Sequence, residues 1–236
     1  MGKMLLKLCI LVVSVTISSN VHAKNTRLFI LSGQSNMVGL NPDLSFTPML
    51  QHAFPHDDII VIKDAENGQP IRCWYKQAPP QPEQHILPVG FLYKRLISKV
   101  KASLSNKQPQ TIAFIWMQGE RDAIEHHGNR YGGDLEGLIQ QLQHDLGRDD
   151  IAIVIGRLSD FGLKEHQYHE EWEKIRHSQV RVAGANSLRT WVDTDDLNGA
   201  HDDLHYTAEG YQQFGTRLAQ AAIHLINQRQ QPYASR

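Results

Sequence analysis

The sequence of 236 residues is poor in cysteine and carries no excess of charge of either sign. Its two cysteines, Cys9 and Cys73, cannot build a disulfide framework or a zinc site with several thiolates. Lysine and arginine number 24 against 25 aspartates and glutamates, so the basic footprint of a nucleic-acid-binding protein is absent. There is also no P-loop, no Gly-x-Gly-x-x-Gly after a strand and no His-Glu-x-x-His. We therefore predict no metal, no organic cofactor and no nucleic-acid partner.

The first 23 residues have the pattern of a targeting segment. Lys3 and Lys7 give a basic start, residues 8–17 form an apolar run, and small or polar residues lead to Ala23. The run is short for a helix that crosses a bilayer. This pattern predicts a signal peptide that is cut after Ala23, and a periplasmic or secreted protein without membrane contact once the signal is removed. The remaining residues, 24–236, have the length and composition of one globular domain.

Short apolar runs alternate with longer amphipathic stretches along this domain. The runs predict strands and the amphipathic stretches predict helices of a dozen residues or more. The predicted strands are 27–31, 58–63, 111–117, 151–155 and 188–192, and the predicted helices are 90–104, 131–146, 164–180 and 207–228. Apolar strands without alternation, separated by helices, predict an α/β fold with a parallel sheet covered on both faces. Because ligands bind at the carboxyl ends of such strands, the loops there are the expected place for chemistry.

Ser35 is the first candidate, in the run Gly33-Gln34-Ser35-Asn36-Met37 directly after a predicted strand. Gly33 permits a tight turn, which could expose the Ser35 hydroxyl and offer its N–H to a developing oxyanion. The motif is not the nucleophile elbow of α/β-hydrolases, because Met37 stands where that elbow has glycine. A turn serine or a helix cap is the alternative interpretation.

The second candidate is the stretch Asp-Asp-Leu-His at residues 202–205, just before the last predicted helix. His205 could act as a base, and Asp202, three residues earlier, could orient its imidazole. Asp203 is an alternative orienting group and His201 an alternative base. A metal site at His201 and His205 is disfavoured, since no third and fourth ligands occur at familiar spacing. A solvated acidic loop would explain the same residues.

The third candidate follows the strand 111–117 and reads Gln-Gly-Glu-Arg-Asp at residues 118–122. The Gln118 amide could donate to an oxyanion, and Glu120 and Asp122 could orient neighbouring groups or bind hydroxyl groups. The alternative is a surface loop with a local pair of glutamate and arginine.

Together these motifs resemble the SGNH hydrolase superfamily, and within it the sialate O-acetylesterase and acetylxylan esterase group, carbohydrate esterase family six. The matching stretches are GQSNM at 33–37, QGERD at 118–122 and DDLH at 202–205, in that chain order. Two softer matches are the stretch 89–92, with Gly90, and the helix from Trp172 to Gln179. The resemblance implies a three-layer α/β/α sandwich and a serine-dependent acetylesterase that acts on sialic acid or xylan-type glycans.

The resemblance also implies roles for single residues. Ser35 would be the nucleophile, His205 the general base and acid, and Asp202 the orienting carboxylate. The oxyanion hole would be formed by the N–H groups of Ser35 and Gly90 and the side chain of Gln118.

Glu120 would brace the nucleophile loop, and the partner would be an acetylated carbohydrate. The alternatives are a short-chain, lipid or thioester esterase of the same superfamily, and a catalytically inactive carbohydrate-binding protein.

Overall fold

The computed structural model describes residues 24–79, 86–164, 167–199 and 204–230. Its sheet has five strands in the order β2-β1-β3-β4-β5, and every neighbouring pair is parallel. The strands are β1 (Thr26–Gly33), β2 (Asp58–Ala65), β3 (Thr111–Met117), β4 (Ala152–Gly156) and β5 (Arg189–Val192). The predicted α/β fold with a parallel sheet is therefore confirmed.

Helices cover the sheet. They are α1 (Ser35–Gly39), α2 (Phe46–Ala53), α3 (Phe91–Leu104), α4 (Glu120–Ile124), α5 (Gly128–Leu146), α6 (Phe161–Lys164), α7 (His169–Gly184) and α8 (Ala208–Gln230), with short 3₁₀ turns at Pro42–Leu44 and Ile71–Cys73. Helix α2 packs on α8, helix α5 packs on α7, and the Tyr93 hydroxyl of α3 donates to the Gln141 carbonyl of α5. With right-handed crossovers, α2 and α8 lie on one face of the sheet and α3, α5 and α7 on the other.

Local sequence explains most of these elements. All residues of β3 are buried, as its unbroken apolar run requires of a strand covered on both faces. Helix α5 buries Tyr131, Leu135, Leu138 and Leu142, which recur at helical spacing along one stripe. Among the described residues, no helix combines the length and hydrophobicity needed to cross a bilayer.

The structure differs from the predicted elements at several helices, and the short α1 and α4 are among those that were not predicted. The apolar spacing predicts a single helix over 164–180, whereas α6 ends at Lys164 and α7 runs from His169 to Gly184, because Val182 and Ala183 continue its buried stripe. Helix α2 is absent from the predicted elements. Its buried stripe consists of only Phe46 and Leu50, and Pro48 stands in its first turn, where proline is tolerated.

The sheet order fixes where a ligand can bind. Strand β1 lies between β2 and β3, and the chain leaves β1 toward one face of the sheet and β3 toward the other. A crevice opens at the carboxyl ends of two strands whose connections diverge in this way. The loops after Gly33 and Met117 therefore meet at the place where this fold binds ligands.

Gly33 allows the ends of β1 and β3 to approach closely. Its φ is +144°, and a Cβ at this position would lie 1.8 Å from the Met117 carbonyl oxygen. The next amide, that of Gln34, donates to the same oxygen at 2.9 Å. A side chain at position 33 would push β3 away and break this hydrogen bond.

We expect Gly33→Ala to lower the free energy of unfolding by at least about 3 kcal/mol, because it adds a backbone clash to a strained φ. Chemical denaturation followed by circular dichroism measures this loss. Gly133→Ala is the matched control, since that glycine lies within α5 and a Cβ added there would meet no described neighbour within 4 Å. It should stabilise the helix by about 0.5–1 kcal/mol. Equal stability of the two variants would contradict the role assigned to Gly33.

Candidate active site

Ser35 is the first residue of α1, immediately beyond the end of β1. The amides of Met37 and Val38 donate to the Gln34 carbonyl at 2.8 and 2.9 Å, which closes the turn. The Gln34 side chain in turn accepts hydrogen bonds from the Arg121 amide and the Gln118 side chain, both at 3.2 Å. Ser35 is half-buried on a turn fixed on both sides, and the N–H of a first helical residue has no partner within its own helix.

A cavity of about 400 Å³ opens beside Ser35. Its lining combines residues from four separate parts of the chain: Gln34, Ser35, Asn67, Gly68, Glu120, Arg121, Ile124, Leu204 and His205. The structure thus brings Ser35, Glu120 and His205 to one cavity at the carboxyl ends of β1 and β3. Asp202, His201 and Asp203 lie outside the described residues.

The segment that carries His205 is held in place on both sides. The Leu204 carbonyl accepts a hydrogen bond from Asn36 Nδ2 at 3.1 Å. Tyr206 is buried, its hydroxyl contacts Met117 Sδ at 3.8 Å, and its ring packs edge-on against Phe214 of α8. These contacts fix the backbone on either side of His205 relative to the turn that carries Ser35.

Asn36 joins three parts of the site, a role that sequence reasoning missed. Its amide donates to Glu120 Oε1 at 3.2 Å and to the Leu204 carbonyl, and its Oδ1 accepts from the Tyr211 hydroxyl at 3.2 Å. Asn36 therefore links the turn that carries Ser35 to α4, to the His205 segment and to α8. Through this bond Glu120 contacts the turn that carries Ser35, and its bracing role stays a prediction. The position next to Ser35 was the one signal in the sequence.

Gln118 does not line the cavity, in contrast to its expected oxyanion role. Its side chain is fully buried, and its amide nitrogen lies 2.6 Å from Asp122 Oδ2 and 3.2 Å from both Gln34 Oε1 and the Gln69 carbonyl. These acceptors already engage the N–H groups of the amide. In this structure Gln118 ties the loop after β3 to its neighbours and cannot donate to an oxyanion as it stands.

Gly90 also lies apart from the cavity lining. Its N–H donates to the Arg72 carbonyl at 3.0 Å, so the amide expected to serve an oxyanion is already used. Instead, the glycine that lines the cavity is Gly68, with φ +63° and, among the described residues, no neighbour within 4 Å of the place that a Cβ would take. The Asn-Gly pair at 67–68, which begins four residues after the end of a predicted strand, was the available turn signal.

The stretch from Trp172 to Gln179 in α7, one of the two softer family matches, supports the loops that follow β3 and β4. Gln179 accepts from the Leu158 amide at 2.9 Å and donates to the Gln118 carbonyl at 3.0 Å. Trp172 is buried and donates to the Ser159 carbonyl at 2.7 Å. The helix therefore connects the loops that follow β3 and β4, and it contributes no residue to the cavity lining.

Two buried carboxyl groups in α4 have raised pKa values. Burial raises the pKa of Glu120 to about 7, against the lowering effects of the Asn36 hydrogen bond and of nearby His205. Burial likewise raises the pKa of Asp122 to about 7, although the Gln118 side chain and the Ile71 amide donate to it. Of these two carboxyl groups, the one that lines the cavity belongs to Glu120.

A cationic group also borders the cavity. Arg121 Nε donates to Glu125 Oε1 at 2.6 Å, and the guanidinium of buried Arg72 binds the other oxygen of that carboxylate. Two guanidinium groups thus share one buried carboxylate at this edge of the cavity.

Comparison with known proteins identifies relatives of this chain. The family described as "Carbohydrate esterase, sialic acid-specific acetylesterase" matches residues 38–224. A probable carbohydrate esterase of Arabidopsis thaliana is 25% identical over 188 residues, which are 78% of this chain. The match spans 64% of that relative, less than two thirds of its length.

Solved structures share the fold. The crystal structure of an Arabidopsis thaliana protein superposes with a TM-score of 0.67 at 22% identity, covering 84% of this chain and 98% of that one. A carbohydrate acetylesterase from Xanthomonas citri superposes with a TM-score of 0.63 at 16% identity, covering 85% of this chain and 57% of that one.

The raised pKa of Asp122 predicts a pH-dependent cost to folding. The folded protein binds a proton at Asp122 more tightly than the unfolded chain, so this group favours folding at low pH and loses that contribution as pH rises from about 4 to about 7. Asp122→Asn removes the titration. We expect the stability of the variant relative to the native protein to increase between pH 5 and pH 8, as measured by melting temperature at each pH. A difference that does not change with pH would contradict the raised pKa.

Proposed function

Because the chain belongs to the carbohydrate esterase family of sialic acid-specific acetylesterases, we propose that it removes acetyl groups from esterified sugars, with Ser35 as its nucleophile. The observation that carries this proposal is the single cavity that Ser35 and His205 line together. Distant parts of the chain form it, at the end of the sheet where this fold binds ligands.

The first half-reaction transfers the acetyl group to the protein. Ser35 Oγ attacks the acetyl carbonyl carbon while His205 takes the hydroxyl proton. The oxyanion that forms is stabilised by the N–H of Ser35 at the start of α1 and by the backbone of the Asn67–Gly68 turn. His205 then returns the proton to the departing sugar oxygen, which leaves an acetyl ester on Ser35 and a free sugar hydroxyl.

The second half-reaction regenerates the enzyme. A water molecule gives a proton to His205 and attacks the acetyl carbonyl, and the bond to Ser35 Oγ then breaks. Ser35 regains its proton from His205, and acetic acid leaves and gives its proton to the solvent to become acetate. In this scheme Asp202 orients the imidazole, an assignment that stays a prediction because Asp202 lies outside the described residues. That residues 1–23 direct export to the periplasm or the medium also stays a prediction.

The charge at the rim of the cavity favours an acidic sugar as substrate. Arg121 lines the cavity and stays partly exposed, while Arg72 also compensates the Glu125 carboxylate to which Arg121 is bound. A guanidinium group pairs well with a carboxylate, and sialic acids carry one. We therefore propose O-acetylated sialic acid as the substrate, rather than an acetylated neutral glycan such as xylan.

Ser35→Ala should reduce acetate release from O-acetylated sialic acid and from p-nitrophenyl acetate by on the order of 10³-fold or more, without a change in fold. Ser98→Ala, which removes an exposed hydroxyl on α3, is the matched control and should retain native activity. Near-native turnover by the Ser35 variant would show that the nucleophile is misassigned. Activity that persists from acetyl to long-chain p-nitrophenyl esters would favour a lipid esterase instead.

Arg121→Gln should lower kcat/KM for O-acetylated sialic acid by about tenfold to a hundredfold, because a charge-assisted hydrogen bond to the sugar carboxylate is lost. The decrease should be much smaller for the methyl ester of the same sugar. Arg130→Gln is the control, since Arg130 pairs with Asp134 within α5 and does not line the cavity. Equal losses on the acid and its methyl ester would refute the preference for an acidic sugar.

A further inference from the structure

Ile124 places an apolar side chain in the wall of the cavity that Ser35 and His205 line. Among the described residues, three large hydrophobic side chains are exposed, those of Leu44, Phe91 and Ile124, and of these only Ile124 lines the cavity. An exposed aliphatic side chain on an open surface is common. Within a binding cavity, however, it offers apolar area that a ligand covers when it binds. Ile124 therefore marks an apolar contact for the substrate.

Helix α4 carries Ile124 away from the turn that holds Ser35. Glu120 begins α4, is 2% exposed, and accepts a hydrogen bond from Asn36, the residue that follows Ser35. Ile124 ends α4, about 6 Å further along the helix axis, and is 40% exposed. Because residues four apart lie on the same face of a helix, this face of α4 forms cavity wall from the buried end near Ser35 to the solvent-exposed edge.

This arrangement places the sugar, rather than the acetyl group, at Ile124. In an ester that Ser35 attacks, the carbonyl carbon lies at Ser35 Oγ and the acetyl methyl group is one bond away from that carbon. Leu204, the other aliphatic side chain among the described lining residues, lies at that end of the cavity, because its carbonyl accepts a hydrogen bond from Asn36. The sugar extends from the ester oxygen toward the open edge of the cavity, where Ile124 lies.

Arg121 defines the chemistry beside Ile124. It lines the same wall three residues earlier, and side chains with this spacing are neighbours on a helix. A guanidinium group next to an aliphatic side chain matches a ligand that carries a carboxylate and an apolar group at different positions. Sialic acids carry both, since a carboxylate and an N-acyl group lie on opposite sides of their ring, and the N-acetyl group ends in a methyl group. A neutral acetylated pentose offers neither.

We propose that Ile124 determines specificity by contacting the methyl group of the N-acetyl substituent of the sugar, while Arg121 binds the sugar carboxylate. The proposal rests on the proposed function, because it assumes O-acetylated sialic acid as the substrate and Ser35 as the nucleophile. Ile124 takes no part in the transfer of the acetyl group. It favours substrates in which an apolar group, rather than a hydroxyl group, lies at the edge of the cavity.

Three O-acetylated substrates test this contact. They are N-acetylneuraminic acid, its N-glycolyl counterpart, in which the methyl group carries a hydroxyl, and the deaminated analogue, in which a hydroxyl group replaces the N-acyl group. The native protein should show a kcat/KM about threefold to tenfold higher for the N-acetyl substrate than for the other two, as expected for one partly buried methyl group. Ile124→Ser should remove this preference, and Ile124→Val should retain it.

Leu44→Ser is the matched control, since it changes a side chain that is 63% exposed and does not line the cavity, and it should leave the preference unchanged. Equal kcat/KM values of the native protein on the three substrates, or a preserved preference in Ile124→Ser, would overturn the proposal. A change in the ratio of the rates on p-nitrophenyl acetate and p-nitrophenyl butyrate in Ile124→Ser would also overturn it, because Ile124 would then contact the acyl group.

A second measurement needs no turnover. In saturation-transfer difference NMR, free N-acetylneuraminic acid in the presence of Ser35→Ala should receive its strongest saturation at the N-acetyl methyl protons. Adding Ile124→Ser to this variant should weaken that signal relative to the ring protons, whereas adding Leu44→Ser should not. Uniform or absent saturation, or no change on adding Ile124→Ser, would overturn the proposal. A methyl contact in a protein whose native form releases no acetate from any of the three substrates would instead reject the proposed function.

Discussion

The close contact between the ends of β1 and β3 is the constraint on which the site depends. At Gly33 the two backbones approach to a distance that excludes a Cβ, and the Gln34 amide caps the Met117 carbonyl. Ser35, the first residue of α1, therefore has a fixed position relative to the ends of the two strands. The same contact places Glu120, three residues after Met117, beside the nucleophile turn. Without this contact, the Ser35 hydroxyl and the Glu120 carboxyl would lie on two loops that the sheet does not hold together.

Buried polar side chains fix the surrounding loops relative to the ends of the strands. Gln34, Asn36 and Gln118 each join backbone segments that are distant in sequence, and every one of them is nearly or fully buried. Such networks stabilise a unique arrangement only when their members are satisfied, because an unpaired polar group in a low-dielectric interior is costly. The use of the Gln118 amide within this network is the physical reason that it is unavailable to an oxyanion. Glycine at position 68 exposes its backbone to the cavity instead.

The two buried carboxyl groups of α4 have similarly raised pKa values but different surroundings. Burial raises the pKa of both Glu120 and Asp122, yet Asp122 is enclosed by donors and Glu120 borders the cavity. The first holds the loop after β3 in place, and the second lies on the wall of the cavity that Ser35 and His205 also line. Two residues of separation on a single helical turn are enough to produce this difference.

The sequence by itself determined the strands, the four longest helices and the sheet class, because burial on both faces requires unbroken apolar runs and helices require periodic ones. It also indicated Ser35, Glu120 and His205, since a glycine turn, a glutamate after a strand and a histidine before a helix are local patterns. The sequence pattern did not predict helix α2, because its buried stripe comprises only Phe46 and Leu50. The tertiary structure alone decided which N–H groups remain available to bind an oxyanion. The oxyanion role was expected of Gln118 for its amide and of Gly90 through the family resemblance. Hydrogen bonds to segments distant in sequence use the N–H groups of both residues, and no local pattern records those bonds.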